Sequence, residues 1–260
     1  SLKTPMTRTT SNLPATYQAQ LLAEAQSIQG RISSPATGKI RWIGNHTIAL
    51  PDGQEGEELE AVIIDFITVN SYFDQQYSPS NPVPPACVAI GYDVSTLAPL
   101  EQSPVPQCSN CLICPQNQFG SAGRGKACKN TRLIALTSVA DEGEDPIMWT
   151  ASIPPVSLKH FDAYVQKLAT KMKTIPIGVV TRIFLRDDVA YPEPKFEVVR
   201  PLREDEFETY MRRREEAKAV LMTPPDLTGY RSPNGAPVRF QPKPGAAPAA
   251  AAAKPRRVLR

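Results

Sequence analysis

Apolar residues occupy both faces of the segment ELEAVIIDFITVN, residues 58–70. If the segment is extended, the two sets of alternate positions are Val62, Ile64 and Phe66 on one face and Ile63, Ile67 and Val69 on the other. Neighbouring side chains of a strand point to opposite faces, so a strand that is apolar on both faces is covered on both. The pattern predicts a central strand of a sheet over residues 58–70.

Shorter runs of β-branched and aromatic residues, bounded by turn formers, predict further strands. They span 38–50, 132–139, 146–153, 178–186 and 195–199. The first of them ends at Pro51-Asp52-Gly53, a turn signal. About six strands with few helices predict a mainly β, α+β fold, as a small barrel or curved sheet.

Two segments have the three- and four-residue spacing of amphipathic helices. In residues 157–172 the apolar positions follow Ser157, a candidate N-cap. In residues 203–222 acids occupy the first turn and arginines follow, as the helix dipole favours. Residues 17–29 are rich in helix formers and predict a short additional helix.

Composition divides the chain into three parts. Residues 1–38 are polar and predict a flexible N-terminal segment around the short helix. Residues 39–222 contain the predicted strands and the two longer helices, and form the expected folded domain. Residues 223–260 are dominated by Pro, Ala and Gly and predict a disordered basic tail, because they have too few large apolar side chains to form a core.

Basic residues are concentrated in two segments, although the net charge of the 260-residue chain is only +3. Between Gln102 and Ala140 there are four basic residues and no acid, and beyond Asp226 there are seven and again no acid. Such segments on a mildly acidic body favour nucleic-acid binding. The sequence lacks an apolar run of about 18 residues and an apolar signal-peptide centre, so we expect no membrane span and a cytoplasmic location.

The five cysteines are the strongest candidates for chemistry. Cys108, Cys111, Cys114 and Cys128 are close in sequence, and Cys87 lies upstream. Because cytoplasmic thiols stay reduced, such a cluster favours metal ligation over disulfides. Cys111 and Cys114 are spaced to bind one ion from a single turn, Cys128 closes the following loop, and either Cys108 or Cys87 completes a tetrahedron.

The identity of the metal follows from the surroundings of these cysteines. The spacing Cys108-x2-Cys111-x2-Cys114-Pro also resembles the iron–sulfur run of ferredoxins. Iron–sulfur clusters prefer an apolar pocket, whereas residues 115–127 are rich in Gln, Asn, Ser and Gly. The composition favours one zinc ion per chain over an iron–sulfur cluster.

The same loop contains GSAGRGKA, which approaches a phosphate-binding P-loop. A P-loop requires a strand before its first glycine, a Ser or Thr after its lysine and a helix behind it. Here PQNQF precedes Gly120, Ala127 follows Lys126, and a strand-like run comes next. A nucleotide site is therefore not expected.

The segment CLICPQNQFGSAGRGKACKNTRLIAL (111–136) resembles the cysteine segment of a family of tailed-phage single-stranded DNA-binding proteins. That family has a C-x-x-C-P-x-N-x-aromatic-G-S stretch, a basic loop ending in K-A-C and an upstream cysteine in a Pro-rich turn. Residues 157–199 are similar to the family's helix followed by two strands. The resemblance covers roughly residues 39–200 and is specific at the cysteines.

The resemblance implies an OB-like barrel with a zinc-held insertion at about 84–130, in which Cys87, Cys111, Cys114 and Cys128 bind zinc and Cys108 is spare. It also implies a sequence-independent single-stranded DNA-binding protein that coats and protects single strands during phage replication or recombination, beside other phage proteins in the cytoplasm of the infected host. The tail departs from many single-strand binders because it is basic rather than acidic.

A sequence-independent binder needs cations for phosphates and aromatic faces for bases. The candidates are Arg41, Trp42, Tyr72, Phe73, Tyr77, Phe119, Arg124, Lys126, Lys129 and Arg132. For the aromatic residues the structural alternative is core packing, and for the basic residues it is a solvated surface. No catalytic signature is present, so we expect no enzyme activity. The alternative functions are a metal-stabilised structural or interaction protein that docks through its tail, and an iron–sulfur nucleic-acid enzyme.

Overall fold

The structure is a computed structural model that describes residues 17, 38–44, 46–143 and 146–233. Apart from Tyr17, the helix predicted over residues 17–29 lies outside the described residues, as does the tail from residue 234 onward. Within the described part, no helix has the length and apolar character needed to cross a bilayer.

The described chain forms nine strands and three α-helices. The strands are β1 (Arg41–Ile43), β2 (Thr47–Ala49), β3 (Glu55–Gly56), β4 (Glu58–Tyr72), β5 (Cys87–Gly91), β6 (Cys128–Ser138), β7 (Met148–Ile153), β8 (Val179–Leu185) and β9 (Pro194–Pro201). The helices are α1 (Leu158–Lys167), α2 (Glu204–Arg212) and α3 (Arg214–Leu221). The predicted mainly β, α+β class is confirmed.

The long strand β4 is the centre of a six-stranded antiparallel sheet. Along one edge it pairs with β6, from Ala61 to Tyr72. Along its other edge it pairs first with β8 and then, from Thr68 to Tyr72, with β5. The sheet continues outward through β7 on one side and β9 on the other. The central strand predicted over residues 58–70 is therefore confirmed.

A β-bulge changes which side chains of β4 share a face. The register against β6 shifts between Ile63 and Asp65. The extra residue puts Ile63 and Phe66 on the same face, whereas Ile64 and Ile67 lie on the other. The strict alternation expected from the sequence was therefore wrong beyond residue 64, because a bulge inserts one residue and reverses the pattern after it.

Each face of the sheet has its own core. On the first face, the sheet β1–β2–β3 and helix α1, through Phe161, pack against Ile63 and Ile134. On the second face, helices α2 and α3 cover Ile64, Ala135 and neighbouring side chains. Burial on both faces explains why β4 is apolar from Ala61 to Ile64 and again at Phe66 and Ile67.

The sheets do not close in the part of the chain that the structure describes. The strands of the β1–β2–β3 sheet do not pair with β7; just before β1, Lys39 forms an isolated bridge with Thr150 of β7, and β9 forms the opposite edge of the large sheet. The expected OB-like barrel is not confirmed. Pro194 and Pro201 bound β9, and proline cannot donate to a further strand.

The helices differ from the sequence prediction in two respects. Ser157 does not cap α1: its hydroxyl is buried without a hydrogen-bond partner, because the residue already belongs to the 3-10 turn Pro155–Ser157. The helix predicted over 203–222 is divided at Arg213, whose guanidinium donates to the carbonyl of Pro146 at 2.6 Å.

The segment predicted to begin the tail continues onto the folded body. Leu227 and Tyr230 are buried, and the Tyr230 hydroxyl donates to the Asp74 carboxylate. The side chain of Gln75 donates to the carbonyl of Arg231. Contacts with the folded body therefore extend to Arg231, beyond the residue 223 at which the tail was predicted to begin.

Replacing Phe161 with alanine tests the first core. Phe161 is fully buried, and its ring makes edge contacts with Phe66 at 5.0 Å and Phe196 at 5.1 Å. Phe161→Ala should lower the free energy of unfolding in urea by about 3–5 kcal/mol. Phe207→Ala, at a position 39% exposed, is the control and should cost far less. Equal losses in the two variants would contradict this description of the core.

Candidate metal centre and basic loop

Three strand ends meet at one end of the large sheet. Tyr72, the last residue of β4, is directly opposite Cys87 of β5 on one side and Cys128 of β6 on the other. Opposed residues of antiparallel strands point to the same face, so both cysteines share the face of Tyr72. Adjacent strands lie about 4.8 Å apart, which places the Cα atoms of these cysteines about 10 Å apart.

The chain between β5 and β6, residues 92–127, brings the other cysteines to the same place. We call this segment the cysteine loop, or simply the loop. All five cysteines line one cavity of about 10 Å³ together with Asn70, Tyr72, Gln107 and Asn117. A cavity of this size has room for at most about one water molecule or ion. The fold thus brings all five cysteines together, although they are spread from residue 87 to residue 128.

Four of the five cysteines are buried. Their exposed fractions are 8% for Cys87, 6% for Cys111, 4% for Cys114 and 8% for Cys128, whereas Cys108 is half-buried. The four buried residues are the ligand set implied by the family resemblance. Cys108 nevertheless lies against the cluster, since its thiol hydrogen bonds with Cys114.

Four of the five thiols have a raised pKa, which favours their protonated form. Burial raises the pKa of Cys87, Cys108 and Cys111, and it raises the pKa of Cys128 to about 12. The proximity of the other cysteines raises these pKa values further, since two neighbouring thiolates repel each other. The Asn70 side chain acts in the opposite direction by hydrogen bonding to Cys111, which favours its thiolate.

The thiols are not arranged in the geometry of a metal site. Among the described residues, no three His, Cys, Asp or Glu side chains are arranged so that they could hold an ion as they stand. Tetrahedral zinc with Zn–S bonds of about 2.3 Å requires sulfurs about 3.8 Å apart. With β4 between Cys87 and Cys128, the side chains would have to turn inward to reach that spacing. The predicted zinc-bound loop is not confirmed.

A network of side-chain amides fixes the loop to the strands. Asn130 of β6 donates to Asn70 of β4 and to Asn117 of the loop, at 2.8 Å in each case. Asn117 donates to the carbonyl of Cys111 at 2.7 Å. Sequence reasoning missed these asparagines; the available signal was Asn70, a polar residue near the end of an otherwise apolar strand.

Few apolar contacts hold the loop in place. Its own small core consists of Leu97 and Cys111 packed against Ala89 of β5. Ser103 lies beside β5. Its hydroxyl accepts a hydrogen bond from the amide of Val88 and donates one to the carbonyl of Val88, each at 3.0 Å. The cysteine cluster and these polar contacts therefore carry most of the loop's attachment to the sheet.

The glycine-rich segment is a tight hairpin and has no P-loop geometry. Gly120 donates to the carbonyl of Gly125 at 2.9 Å, and Ala122 and Gly125 form a bridge. Gly120 and Gly123 have positive φ angles, which glycine adopts without strain. The chain then enters strand β6 at Cys128, where a P-loop would begin a helix.

The predicted DNA contacts fall into three groups. The first group is exposed to solvent and consists of Phe73, Tyr77, Phe119, Arg124 and Lys129. Phe119 is 81% exposed. Lys126 is half-buried; its ammonium lies 5.0 Å from the centre of the Phe119 ring and donates to Asn130 at 3.0 Å. Tyr72 lines the cysteine cavity.

Two of the three remaining predicted contacts, Trp42 and Arg132, have structural partners. Trp42 packs against the first core, and its indole N–H donates to the carbonyl of Ser152 at 2.6 Å. Arg132 forms a 3.1 Å ion pair with Asp162 of α1, and only 15% of its side chain is exposed. The expectation that no acid opposes Arg132 was therefore wrong, because the fold brings in Asp162 from thirty residues away. Arg41 is exposed on β1.

Comparisons of the chain with protein-family models, with curated proteins and with solved structures give no match. The resemblance of the cysteine segment to phage single-stranded DNA-binding proteins therefore depends on its sequence motifs alone.

The raised thiol pKa values predict that the metal-free protein loses stability in alkaline solution. A thiol titrates near pH 8.5 in the unfolded chain. A thiol whose pKa is higher in the folded protein contributes stability that is fully present below pH 8.5 and is lost as pH rises through the pKa of the folded state. For Cys128 the loss extends up to about pH 12. Urea unfolding in chelator from about pH 8 to about pH 11 should show it.

The control is Cys128→Ser, which removes one of the titrating thiols. Its stability should fall less steeply with pH than that of the wild-type protein. A parallel fall in the two proteins would show that Cys128 does not keep its proton in the folded chain.

Proposed function

We propose that this protein binds single-stranded DNA with little sequence preference, in the replication or recombination of a bacteriophage. The observation that carries the proposal is Phe119, whose ring is 81% exposed beneath the Lys126 ammonium in a loop without acids. An aromatic face open to solvent beside a cation suits a base and its phosphate. Packing in a core cannot account for a ring with this exposure.

The surroundings of Phe119 extend the same chemistry. Arg124 and Lys129 are exposed on the same loop and strand, and neither forms an ion pair among the described contacts. Phe73 and Tyr77 are exposed just beyond β4, at the sheet end where the cysteines converge. Cations and aromatic faces are thus available at one end of the sheet.

We further propose that the cysteine cavity binds one zinc ion. Its chemistry fits that metal, because the titratable side chains lining the cavity are thiols and a tyrosine, with no carboxylate or imidazole among them. Cys87, Cys111, Cys114 and Cys128 would hold the ion, since they are the four buried thiols. Bound zinc would favour the thiolate form and stabilise a loop that has few apolar contacts.

Elemental analysis tests the zinc proposal. The purified protein should contain one zinc per chain and no iron. Cys87→Ser and Cys111→Ser should release the metal, whereas Cys108→Ser, at the half-buried position, should retain it. Iron in place of zinc would contradict the choice of metal, and metal loss from Cys108→Ser alone would contradict the choice of ligands.

A salt titration of oligonucleotide binding tests the function. Wild-type protein should bind single strands more tightly than duplex, since stacking contributes about 1–3 kcal/mol per base and paired bases cannot offer their faces. The triple variant Arg124→Ala, Lys126→Ala, Lys129→Ala should bind more weakly. The plot of the logarithm of its binding constant against the logarithm of salt concentration should be less steep than that of the wild-type protein. The slope should change by about 0.7 for each of the two to three phosphate contacts that are lost.

The control variant carries Lys167→Ala, Lys171→Ala and Lys218→Ala, which remove the same charge from exposed positions outside the loop. It should retain most of the wild-type slope. Preference of the wild-type protein for duplex, or no binding at low salt, would contradict the proposed function.

A further inference from the structure

The cysteine loop exposes two large aliphatic side chains that the proposed function does not use. Leu112 is 59% exposed and Ile113 is 69% exposed. Isolated exposed aliphatic residues are common on protein surfaces. Here, however, they are adjacent and belong to the same polar loop as Phe119, which is 81% exposed. We call Leu112, Ile113 and Phe119 the apolar tip.

The cysteine cluster forces the first two residues of the tip outward. Cys111 and Cys114 are both buried in the cavity wall, so the turn between them presents Leu112 and Ile113 to solvent. The side chains of Leu112 and Ile113 therefore cannot join the core unless the cysteines leave the cavity.

Hydrogen bonds fix the backbone that carries the tip. The amide of Leu112 donates to the Asn110 side chain at 2.8 Å. The side chain of Gln118 donates to the carbonyls of Leu112 at 2.9 Å and Cys114 at 3.1 Å, and Gln118 directly precedes Phe119. The two halves of the tip are thus tied together through one glutamine, and little further ordering is needed when a ligand binds.

The charges around the tip define what it can bind. Arg124, Lys126 and Lys129 belong to the same segment, and residues 102–140 contain no acid. A ligand that suits this surface must offer anionic groups beside apolar faces. Single-stranded nucleic acid does so, because its phosphates alternate with bases whose faces are free.

We propose that the apolar tip contacts the bases of single-stranded nucleic acid, with Leu112 and Ile113 wedged against bases next to the one that stacks on Phe119. The inference deepens the proposed function and rests on it. Aliphatic side chains are known to insert between base steps, but in a duplex the insertion must first unstack paired bases at a cost of a few kcal/mol per step. On a flexible single strand that cost is smaller, so the tip adds to the preference for single strands.

The test is the double variant Leu112→Ala, Ile113→Ala, titrated with a single-stranded oligonucleotide that contains 2-aminopurine. Affinity should fall roughly tenfold, equivalent to the loss of one base contact. The salt slope should remain that of the wild-type protein, because no phosphate contact is removed. The change in 2-aminopurine fluorescence on binding should be smaller than with the wild-type protein.

The matched control is Val94→Ala, Ile147→Ala, which truncates two exposed aliphatic residues elsewhere, 50% and 54% exposed. It should bind as the wild-type protein does. If the tip variant also binds with unchanged affinity and fluorescence, the tip proposal is wrong while the proposed function stands. If the wild-type protein itself does not bind single strands, the proposed function fails and the tip proposal with it.

Anionic vesicles provide a second arm, because a membrane surface also combines anionic and apolar groups. Wild-type protein should not sediment with phosphatidylserine vesicles. Sedimentation that the tip variant loses, together with unchanged oligonucleotide binding, would assign the tip to a lipid surface and overturn the proposal.

Discussion

The convergence of five thiols on one small cavity is the constraint that fixes the loop at this end of the sheet. Two of the thiols begin strands β5 and β6, and the other three belong to the connection between those strands. The connection has only a small apolar core of its own, whereas the sheet has a large core on each face. The sheet is therefore expected to fold without the cysteine cluster, but the loop is not.

This dependence links the metal proposal to the binding proposal. The residues that turn inward and those that turn outward alternate along the same short segment: Cys111 and Cys114 line the cavity, and Leu112 and Ile113 face solvent. Lys126 joins the two regions, because it lies over Phe119 and donates to Asn130, which bonds the cavity-lining Asn70. Any change that releases the cysteines should also disorder the surface proposed to contact nucleic acid.

Local patterns in the sequence predicted the strands well, since β4 and β6 to β9 follow runs of β-branched residues. The spacing of Cys111, Cys114 and Cys128 suggested one common site, but it left open whether Cys87 or Cys108 joins them, and both line the cavity. Features that depend on long-range contacts were not predictable. The bulge near Asp65 reverses a face, Asp162 neutralises Arg132 from another element, and Tyr230 fastens a Pro-rich segment to Asp74. The open sheet likewise follows from pairing between distant strands.

Amide hydrogen exchange with and without metal tests whether the cysteine site holds the loop. Zinc should protect the amides of the loop, such as those of Asn117, Gly120 and Gly125, and a chelator should remove this protection while the amides of β4 and β6 remain protected. Loop amides that stay equally protected in chelator would contradict the claim that the cysteine site holds the loop.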